Sequence, residues 1–324
     1  MKKIVVTGGA GFIGSALAYQ LNNFGYTNIL IVDRLDASTK WKNLVPLRFL
    51  DYIDADQFLS VIEQLDDLDC IFHLGACSST TEQNAKYVID NNFLYTKQLA
   101  TFAVSKEIKF IYASSAATYG DGSKGMEDFQ QLDYLQTLRP LNPYGYSKHL
   151  FDLFAAKTSM FNSIVGLKYF NVFGPNEYHK GDMRSLVLKA YEQVANSGCI
   201  SLFKSYNDNY LDGEFGRDFL YVKDAVSMTL HLFNNYVPGL YNIGSGEMNT
   251  WNRLAKAIFK ALDKQPHIRY IEMPENIRGS YQYYTKADIS KLRQTGFDSQ
   301  LTPLEDAVAD YVKNYLSGYK HLGE

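Results

Sequence analysis

A tyrosine and a lysine at helical spacing are the residues of this chain best suited to acid–base chemistry. Tyr144 and Lys148 stand four residues apart, so a helix would place both side chains on one face. A free phenol has a pKa of about 10, and a neighbouring ammonium favours the phenolate. The pair is predicted to take a proton from a hydroxyl whose carbon loses a hydride. Ser115 ends an earlier apolar run, where its hydroxyl can hydrogen-bond the reacting oxygen.

A glycine-rich turn near the start of the chain indicates a binding site for a dinucleotide. In the segment 4–14 an apolar run is followed by Gly8, Gly11 and Gly14 and by the start of a helix. Glycine lets the backbone turn tightly and lets a pyrophosphate approach, while a helix N-terminus offers free N–H groups. Asp33 follows Gly14 by 19 residues, at the end of another apolar run. An acid at that spacing binds the adenosine ribose, so we predict a nicotinamide dinucleotide as the hydride carrier.

The residues around Asp33 leave the choice between NAD and NADP open. Asp33 favours NAD, because its carboxylate can bond the ribose 2′-hydroxyl. Arg34 and Lys40 follow closely, and two cations at this place could bind the 2′-phosphate of NADP. Residue types alone therefore allow either cofactor.

Strands and helices alternate through the first half of the chain. Apolar residues at helical spacing predict helices over 12–21 and 87–104. Short apolar runs predict buried strands at 4–7, 29–33, 45–50, 70–74, 108–114 and 164–170. This alternation requires right-handed crossovers and predicts an α/β fold with a Rossmann-type, doubly wound parallel sheet.

After residue 170 the pattern becomes less regular. We predict a loop at 171–179, helices at 183–196, 218–233 and 254–262, strands at 240–243 and 268–273, and a polar, turn-like segment at 207–216. The domain prediction is a cofactor-binding Rossmann domain of residues 1–170 plus about 217–245. A smaller C-terminal substrate-binding domain would comprise about 171–216 and 246–324.

Composition argues against several other classes of protein. The 324 residues are 46% hydrophobic and 21% charged, as in globular proteins, and 32 Lys and Arg against 35 Asp and Glu give a net charge of −3. Such a balance does not favour nucleic-acid binding, and no apolar run approaches the roughly 18–20 residues of a membrane span. The N-terminus resembles no signal peptide, and the 3 cysteines include no C-x-x-C pair. We expect a cytoplasmic protein without nucleic-acid or membrane partners and without a bound metal.

Five segments carry a resemblance to the extended short-chain dehydrogenase/reductase family, and within it to the enzymes that epimerise ADP-linked heptoses. They are 75–82 (GACSSTTE), 113–120 (ASSAATYG), 144–148 (YGYSK), 169–172 (YFNV) and 174–181 (GPNEYHKG). The likeness runs from residue 2 to about residue 316. It implies an isomerase of lipopolysaccharide biosynthesis with tightly bound NADP. Such an enzyme inverts C6″ of the heptose through a transient ketone, with no net redox change.

The resemblance also implies a role for each matching residue. Tyr144 and Lys180 would be two acid/bases on opposite sides of the ketone, assisted by Ser115 and Lys148. NADP would be bound by Gly8, Gly11, Phe12, Ile13, Gly14, Asp33, Arg34, Lys40, Asp51, Leu74, Gly75, Ala76, Cys77, Ser78, Asn91, Lys148 and Val172. The ADP-heptose would be bound by Asn171, Asp182, Lys189, Phe203, Lys204, Ser205, Tyr206, Arg217 and Tyr281. The family further implies a homo-oligomer, with a pentamer as the suggested form.

Two alternative functions stay open at this point. A UDP-hexose 4-epimerase would keep the same Ser, Tyr and Lys set but would not need Lys180. A non-catalytic NADP-binding sensor would usually lose the Tyr or the Lys, and both are present. A 4,6-dehydratase is disfavoured, because Ala116 and Ala117 stand where that enzyme needs acids.

Overall fold

The computed structural model describes residues 2–279 and 281–324 and is built on a parallel sheet of seven strands. The strands are β1 (Lys3–Thr7), β2 (Ile29–Asp33), β3 (Asp51–Asp54), β4 (Leu68–His73), β5 (Lys109–Ser115), β6 (Val165–Tyr169), β7 (Asn171–Phe173), β8 (Ile200–Phe203), β9 (Gly216–Arg217), β10 (Phe219–Tyr221), β11 (Gly239–Ile243), β12 (Asn249–Thr250) and β13 (Ile268–Ile271). The central sheet has the order β11-β6-β5-β4-β1-β2-β3, with every neighbouring pair parallel. The predicted doubly wound α/β fold is confirmed.

Helices cover both faces of this sheet. They are α1 (Phe12–Asn23), α2 (Ala55–Val61), α3 (Ala85–Ile89), α4 (Tyr95–Ser105), α5 (Leu132–Leu135), α6 (Pro143–Lys157), α7 (Leu186–Ser197), α8 (Val222–Asn234), α9 (Trp251–Ala261), α10 (Glu275–Arg278), α11 (Ser290–Gln294) and α12 (Leu304–Asp310). Strand side chains alternate between the faces: Ile4 and Val6 pack in the core of α1 and α8, whereas Val5 packs in the core of α4 and α6. Within the described residues, no helix is both long enough and apolar enough to cross a membrane.

Five of the six strands predicted in the first half are confirmed to within a few residues, and the one predicted at 45–50 is wrong. The segment 45–50 is not a strand, and the third strand is Asp51–Asp54. Pro46 has no backbone N–H to donate to a neighbouring strand. The Leu50 N–H donates to the Ile29 carbonyl, and the register of β3 with β2 begins only after this contact.

Two predictions after residue 170 also need correction. The predicted loop at 171–179 contains β7, and the helix predicted from residue 218 begins only at Val222. The reason is a long-range pairing, in which β7 and β10 form a parallel two-stranded sheet with Val172 opposite Leu220. Local periodicity contains no information about such a partner. β11 returns to the edge of the central sheet beside β6, and the division into two domains stays a prediction.

Candidate active site

Glycines bring the turn after β1, the loop after β4 and the start of α1 into close contact. Gly8 has a φ of +68°, and a Cβ there would lie 2.6 Å from the backbone nitrogen of Gly75. A Cβ on Gly14 would collide with the Gly8 carbonyl oxygen. Gly11 caps α1 with extended backbone and no side-chain hydrogen bond, and the first turn contains no acidic residue. The free N–H groups of this helix start suit an anion such as a pyrophosphate.

The Asp33 carboxylate organises the cavity beside this turn. It accepts hydrogen bonds from two backbone N–H groups at 2.8 and 2.9 Å, and the Lys40 ammonium lies 3.0 Å from its Oδ1. Arg34 instead pairs with Asp56 at 2.5 Å and donates to the Asn91 Oδ1 at 2.6 Å. This cavity has a volume of about 230 Å³ and is lined by Gly8, Asp33, Arg34, Lys40, Gly75, Ala76, Cys77 and Asn91, among others. The residues predicted to bind the adenosine end are therefore brought together.

Asp51 is predicted to bind the adenosine end of the cofactor but does not line this cavity. In the register of β3 with β2, Asp51 lies opposite Leu30 and Asp54 lies opposite Asp33. Asp51 is exposed at the amino end of its strand, far from the carboxyl edge where Asp33 stands. Ala55, the residue that follows β3, lines the cavity instead. A correctly placed third strand would have pointed to Ala55.

A second cavity, of about 370 Å³, brings the four predicted catalytic side chains together. Ser115, Tyr144, Lys148 and Lys180 all line this cavity, which we call the main cavity. It is also lined by seven of the predicted ligand-binding residues, namely Phe12, Ile13, Leu74, Ala76, Ser78, Asn171 and Val172. Ala76 lines this cavity and the cavity at Asp33, so the two adjoin along the loop after β4. Two adjoining cavities beside a glycine turn fit the two halves of a dinucleotide.

Tyr144 owes its position to the start of helix α6. The Asn142 side chain caps this helix by accepting from the Gly145 N–H at 2.8 Å. A Cβ on Gly145 would lie 2.7 Å from the Ala117 carbonyl oxygen, so the helix touches the turn after β5. This contact brings the Tyr144 hydroxyl within hydrogen-bonding reach of Ser115.

Burial shifts the pKa of both members of the Tyr144 and Lys148 pair. It raises the pKa of Tyr144, and the hydrogen bond with Ser115 opposes that rise. It lowers the pKa of Lys148 to about 8, although the Asp152 carboxylate opposes the shift. The Lys148 ammonium donates to the Ala113 carbonyl at 2.7 Å. The hydrogen bond with Ser115 is thus an interaction that favours the phenolate, and the effect of Lys148 on the pKa of Tyr144 stays a prediction.

Lys180 reaches the same cavity from a 3₁₀ turn, Tyr178–Met183. Its ammonium lies 5.1 Å from the centroid of the Phe12 ring. Burial lowers the pKa of Lys180, while the Glu177 carboxylate opposes this change. No carboxylate within residues 2–279 and 281–324 forms an ion pair with this ammonium, so it is available to a ligand.

The loop that carries Lys180 is closed by the buried carboxylate of Glu177. This carboxylate accepts from the N–H and the hydroxyl of Ser185, both at 2.6 Å, and from the Gly174 N–H at 3.3 Å. Ser185 also caps helix α7. Both ends of the loop are thereby anchored at one point, with Lys180 between them.

Two of the predicted substrate residues lie at the outer side of this loop rather than in the cavity. The Lys189 ammonium donates to the backbone carbonyl of Asp182 at 2.6 Å, and the Asp182 side chain is exposed. Neither residue lines the main cavity, whereas Asn171 and Val172 do. The cavity also includes side chains that the sequence analysis did not single out, among them Thr80, Met183, Arg184 and Trp251.

Arg217 and Tyr281 form a second group beside the main cavity. Arg217 is 7% exposed, and its guanidinium lies 5.2 Å from the Tyr281 ring centroid and 5.7 Å from that of Trp251. It donates to the Gly216 carbonyl at 3.1 Å and pairs with no carboxylate of the described chain. Phe203, at the end of β8, contacts the same Tyr281 ring with centroids 6.4 Å apart. A buried, weakly partnered guanidinium is suited to binding an anionic group of a ligand.

The three residues after Phe203 lie further out. Lys204 forms an ion pair with Glu272 at 2.6 Å, and the Tyr206 hydroxyl donates to the same carboxylate. The Ser205 N–H donates to Asp212 at 2.7 Å. These residues adjoin the Arg217 group in sequence and space but do not line the main cavity.

Sequence analysis missed a buried asparagine that joins the loop after β4 to helix α6. Asn92 accepts from the Cys77 N–H at 2.8 Å and donates to the Cys77 carbonyl at 2.9 Å and to the Ser147 hydroxyl at 3.0 Å. That hydroxyl donates to the Tyr144 carbonyl at 2.7 Å. Asn92 lies in a π turn, Asp90–Leu94, between α3 and α4. A polar residue inside an apolar helical stripe was the available signal.

A buried ion pair beneath the cavity was also missed. The Asp152 carboxylate accepts from the Lys168 ammonium at 2.7 Å and from the hydroxyls of Tyr112 and Ser114, each at 2.8 Å. Both charged side chains are fully buried. The pair fixes helix α6 against strands β5 and β6, which carry the remaining partners. A lysine inside an otherwise apolar strand was the signal for it.

Comparison with known proteins gives consistent similarities. The model of the NAD dependent epimerase/dehydratase family matches residues 4–244. The chain is 48% identical over 317 residues to the ADP-L-glycero-D-manno-heptose-6-epimerase of Nitratidesulfovibrio vulgaris, covering 97% of this chain and 98% of the relative. It is 47% identical to the enzyme of the same name from Fusobacterium nucleatum, with the same coverage of 97% and 98%. The crystal structure of the Helicobacter pylori enzyme of that name superposes with a TM-score of 0.81 at 28% identity, over 97% of this chain and 96% of the other.

Proposed function

The chain belongs to the NAD dependent epimerase/dehydratase family, and from this we propose that it is an isomerase that converts ADP-D-glycero-D-manno-heptose to ADP-L-glycero-D-manno-heptose by inverting C6″. Relatives of that name share nearly half of its residues over almost the full length. The single structural observation that carries the proposal is the convergence of Ser115, Tyr144, Lys148 and Lys180 on one cavity. The UDP-hexose 4-epimerase and sensor alternatives are not favoured.

Inversion through a ketone requires that a hydride leaves one face of C6″ and that a hydride is returned to the other face. The C6″ oxygen must lose a proton in the first step and regain one in the second. We assign Tyr144 and Lys180 to these two tasks, because they enter the cavity from different elements, α6 and the loop after β7. Ser115, which favours the Tyr144 phenolate, would hold the reacting oxygen, and Lys148 would bind a ribose hydroxyl of the cofactor. A nicotinamide, when bound, supplies the acceptor and donor of the hydride.

A nicotinamide cofactor accompanies the family, and we propose that it is NADP. The turn from Gly8 to Gly14 would bind the pyrophosphate at the N-terminus of α1. Asp33 would bind the adenosine ribose, and Lys40, already 3.0 Å from Asp33, would bind the 2′-phosphate. Arg34, which is partly exposed beside Asp56, would assist it.

Four further assignments belong to the same proposal. The substrate would be held by Asn171 in the cavity and by Arg217 and Tyr281 beside it. We also propose the division into a Rossmann domain and a substrate-binding domain, assembly into a homo-oligomer with a pentamer as the suggested form, and a cytoplasmic location. The free cysteines Cys70, Cys77 and Cys199 suit a reducing compartment.

The test of the two-base assignment is the rate of Lys180→Met with ADP-heptose. Loss of one positioned acid/base should lower the rate of epimerisation by about 10²–10⁴-fold. Tyr144→Phe should have a similar effect, and the double variant should lose little beyond the worse single one, because both residues serve one cycle. Lys264→Met, at an exposed position, is the matched control and should keep the wild-type rate.

A rate near wild type for Lys180→Met would reject the two-base assignment. The enzyme would then use one acid/base only, as expected for a UDP-hexose 4-epimerase. Incubation of the wild-type protein with ADP-heptose and with UDP-glucose separates those two activities directly, and turnover of UDP-glucose alone would overturn the proposed substrate.

A further inference from the structure

The last residues of the chain pack against the loop that carries Lys180. The ring of Tyr178, two residues before Lys180, lies 4.4 Å from the ring of Tyr319, measured between centroids. The Tyr178 hydroxyl donates to the carbonyl oxygens of Lys320 at 3.1 Å and Tyr315 at 3.4 Å. We call residues 319–322 the C-terminal segment. It is about 140 residues from Lys180 in sequence.

Asn176 makes a second connection between this segment and the loop. Its Oδ1 accepts from the Leu322 N–H at 2.9 Å, and its Nδ2 donates to the Ser15 hydroxyl in α1 at 2.9 Å. Asn176 is 1% exposed and has a φ of +80°, a conformation that asparagine tolerates better than most residues. One buried side chain thus joins three parts of the molecule.

Asn43 and His321 make the third connection. The Asn43 Nδ2 donates to the Ala10 carbonyl at 2.9 Å and to the Asn176 carbonyl at 3.1 Å. Its Oδ1 is therefore left to accept from the His321 Nδ1, 2.7 Å away. Burial lowers the pKa of His321, so the neutral ring with a hydrogen on Nδ1 fits this contact.

These contacts reach the chain shortly before Lys180 and shortly before Phe12. Asn176 and Tyr178 stand four and two residues before Lys180, and Ala10 stands two residues before Phe12. Lys180 and Phe12 are the two partners of the 5.1 Å contact at the cavity. Both partners are therefore anchored to the same buried cluster.

We propose that the C-terminal segment is a positioning element for epimerisation, in which His321 and Leu322 set the place of Lys180 relative to Phe12 through Asn43 and Asn176. This inference rests on the proposed role of Lys180. A displacement of about 1 Å in a reacting group can cost about 10²-fold in rate. A segment that never touches the substrate can therefore control the rate.

The test compares three full-length variants. His321→Ala removes the donor to Asn43, and we expect kcat with ADP-heptose to fall about tenfold while KM changes by less than about twofold. Amide hydrogen exchange at Lys180 and Arg184, whose N–H groups bond within the loop, should become faster. His321→Asn keeps an N–H near the position of Nδ1 and should restore most of both properties. Lys320→Ala is the control, because Lys320 contributes only its backbone carbonyl to Tyr178.

Wild-type kcat and wild-type exchange in His321→Ala would overturn the proposal, as would an equal loss in Lys320→Ala. Should His321→Ala fail to fold, Tyr178→Phe replaces it, since this change keeps the ring and removes only the two bonds to carbonyl groups. A wild-type rate for Lys180→Met would overturn the two-base function by itself. The rate of amide hydrogen exchange at Lys180 tests the positioning role without reference to catalysis. Failure of the two-base function and failure of the positioning role can therefore be distinguished.

Discussion

At the scale of single residues, the site depends on a glycine as much as on the side chains that line it. Gly145 lets helix α6 approach the turn after β5, where a Cβ would lie 2.7 Å from the Ala117 carbonyl oxygen. Alanine is a better helix former than glycine by about 1 kcal/mol, so substitution affects the helix and the contact in opposite directions. Glycine at position 145 therefore allows Tyr144 to lie close to Ser115.

Gly145→Ala is accordingly expected to lower activity far more than stability. The added Cβ must push the start of α6 away from Ala117, which separates Tyr144 from Ser115. We expect kcat to fall by about tenfold or more, with the loss in unfolding free energy held small by the gain in helix propensity. Steady-state kinetics and urea unfolding measure the two effects. Wild-type kcat in a folded variant would contradict the assigned contact.

The position of Lys40 leads to a prediction about the choice between NADP and NAD. Its ammonium lies beside Asp33, where the 2′-phosphate of NADP would bind. Lys40→Ala should weaken NADP binding much more than NAD binding, and the ratio of the two Kd values should move by about tenfold or more, as expected for a charge-assisted contact of roughly 1.5–3 kcal/mol.

Titration calorimetry with both cofactors gives the ratio for Lys40→Ala. Lys42→Ala should leave the ratio unchanged, because Lys42 shares the 3₁₀ turn Thr39–Leu44 with Lys40 but has its ammonium over the Tyr319 ring. Equal weakening of NADP and NAD by Lys40→Ala would remove the argument for a 2′-phosphate site.

At the scale of elements, His73 connects β1, β4 and α4. Its Nε2 lies 2.8 Å from the hydroxyl of Thr96, which donates to the Asn92 carbonyl. Its Nδ1 lies 2.7 Å from the hydroxyl of Thr7, which accepts from the Gly75 N–H at 3.1 Å. The Thr96 hydroxyl, whose own hydrogen goes to Asn92, accepts from Nε2–H, and the Thr7 hydroxyl is free to donate to Nδ1 of a neutral ring. Protonation would put a second hydrogen against the Thr7 hydroxyl and a charge in the core.

We therefore predict that stability falls on the acid side. Burial lowers the pKa of His73 to about 3, so between about pH 6.5 and pH 3 the unfolded chain binds a proton that the folded chain does not. The free energy of unfolding should decrease as the pH falls through this range, by up to about 1.4 kcal/mol per pH unit for this residue. His149 and His179, with pKa values lowered to about 4 by burial, act in the same direction.

Urea unfolding at pH 5, 6, 7 and 8 tests this assignment. His73→Gln should be less stable than wild type at pH 7 but should lose less stability on acidification. The exposed His267, changed to Gln, serves as the control. Parallel pH profiles for wild type and His73→Gln would show that His73 does not carry the proton difference.

At the scale of the whole molecule, the prediction concerns assembly. Several large apolar side chains are exposed, including Trp41, Val45 and Leu50, and subunit contacts would cover such surface. We expect light scattering at micromolar concentration to give a mass several times the 36.8 kDa of one chain, with five copies as the suggested form. A monomer throughout that range would contradict the assignment.

Properties that depend on neighbouring positions in the chain could be predicted from the sequence by itself. The strand at 29–33, the turn from Gly8 to Gly14 and the helical spacing of Tyr144 and Lys148 are of this kind, because periodicity and turn chemistry act over a few residues. The parallel sheet followed from their alternation. Parallel strands place their carboxyl ends at one edge, and so the cofactor turn and Ser115 could be expected on the same side of the molecule.

Register, burial and long-range contacts were decided only by the tertiary structure. Whether Asp51 or Ala55 reaches the cavity depends on the pairing of β3 with β2. The direction of the pKa shift of Tyr144 depends on everything that excludes water around it. His321 meets Asn43 across 278 positions of the chain. Such contacts form when distant segments bury their surfaces against each other, and no local pattern specifies the partner.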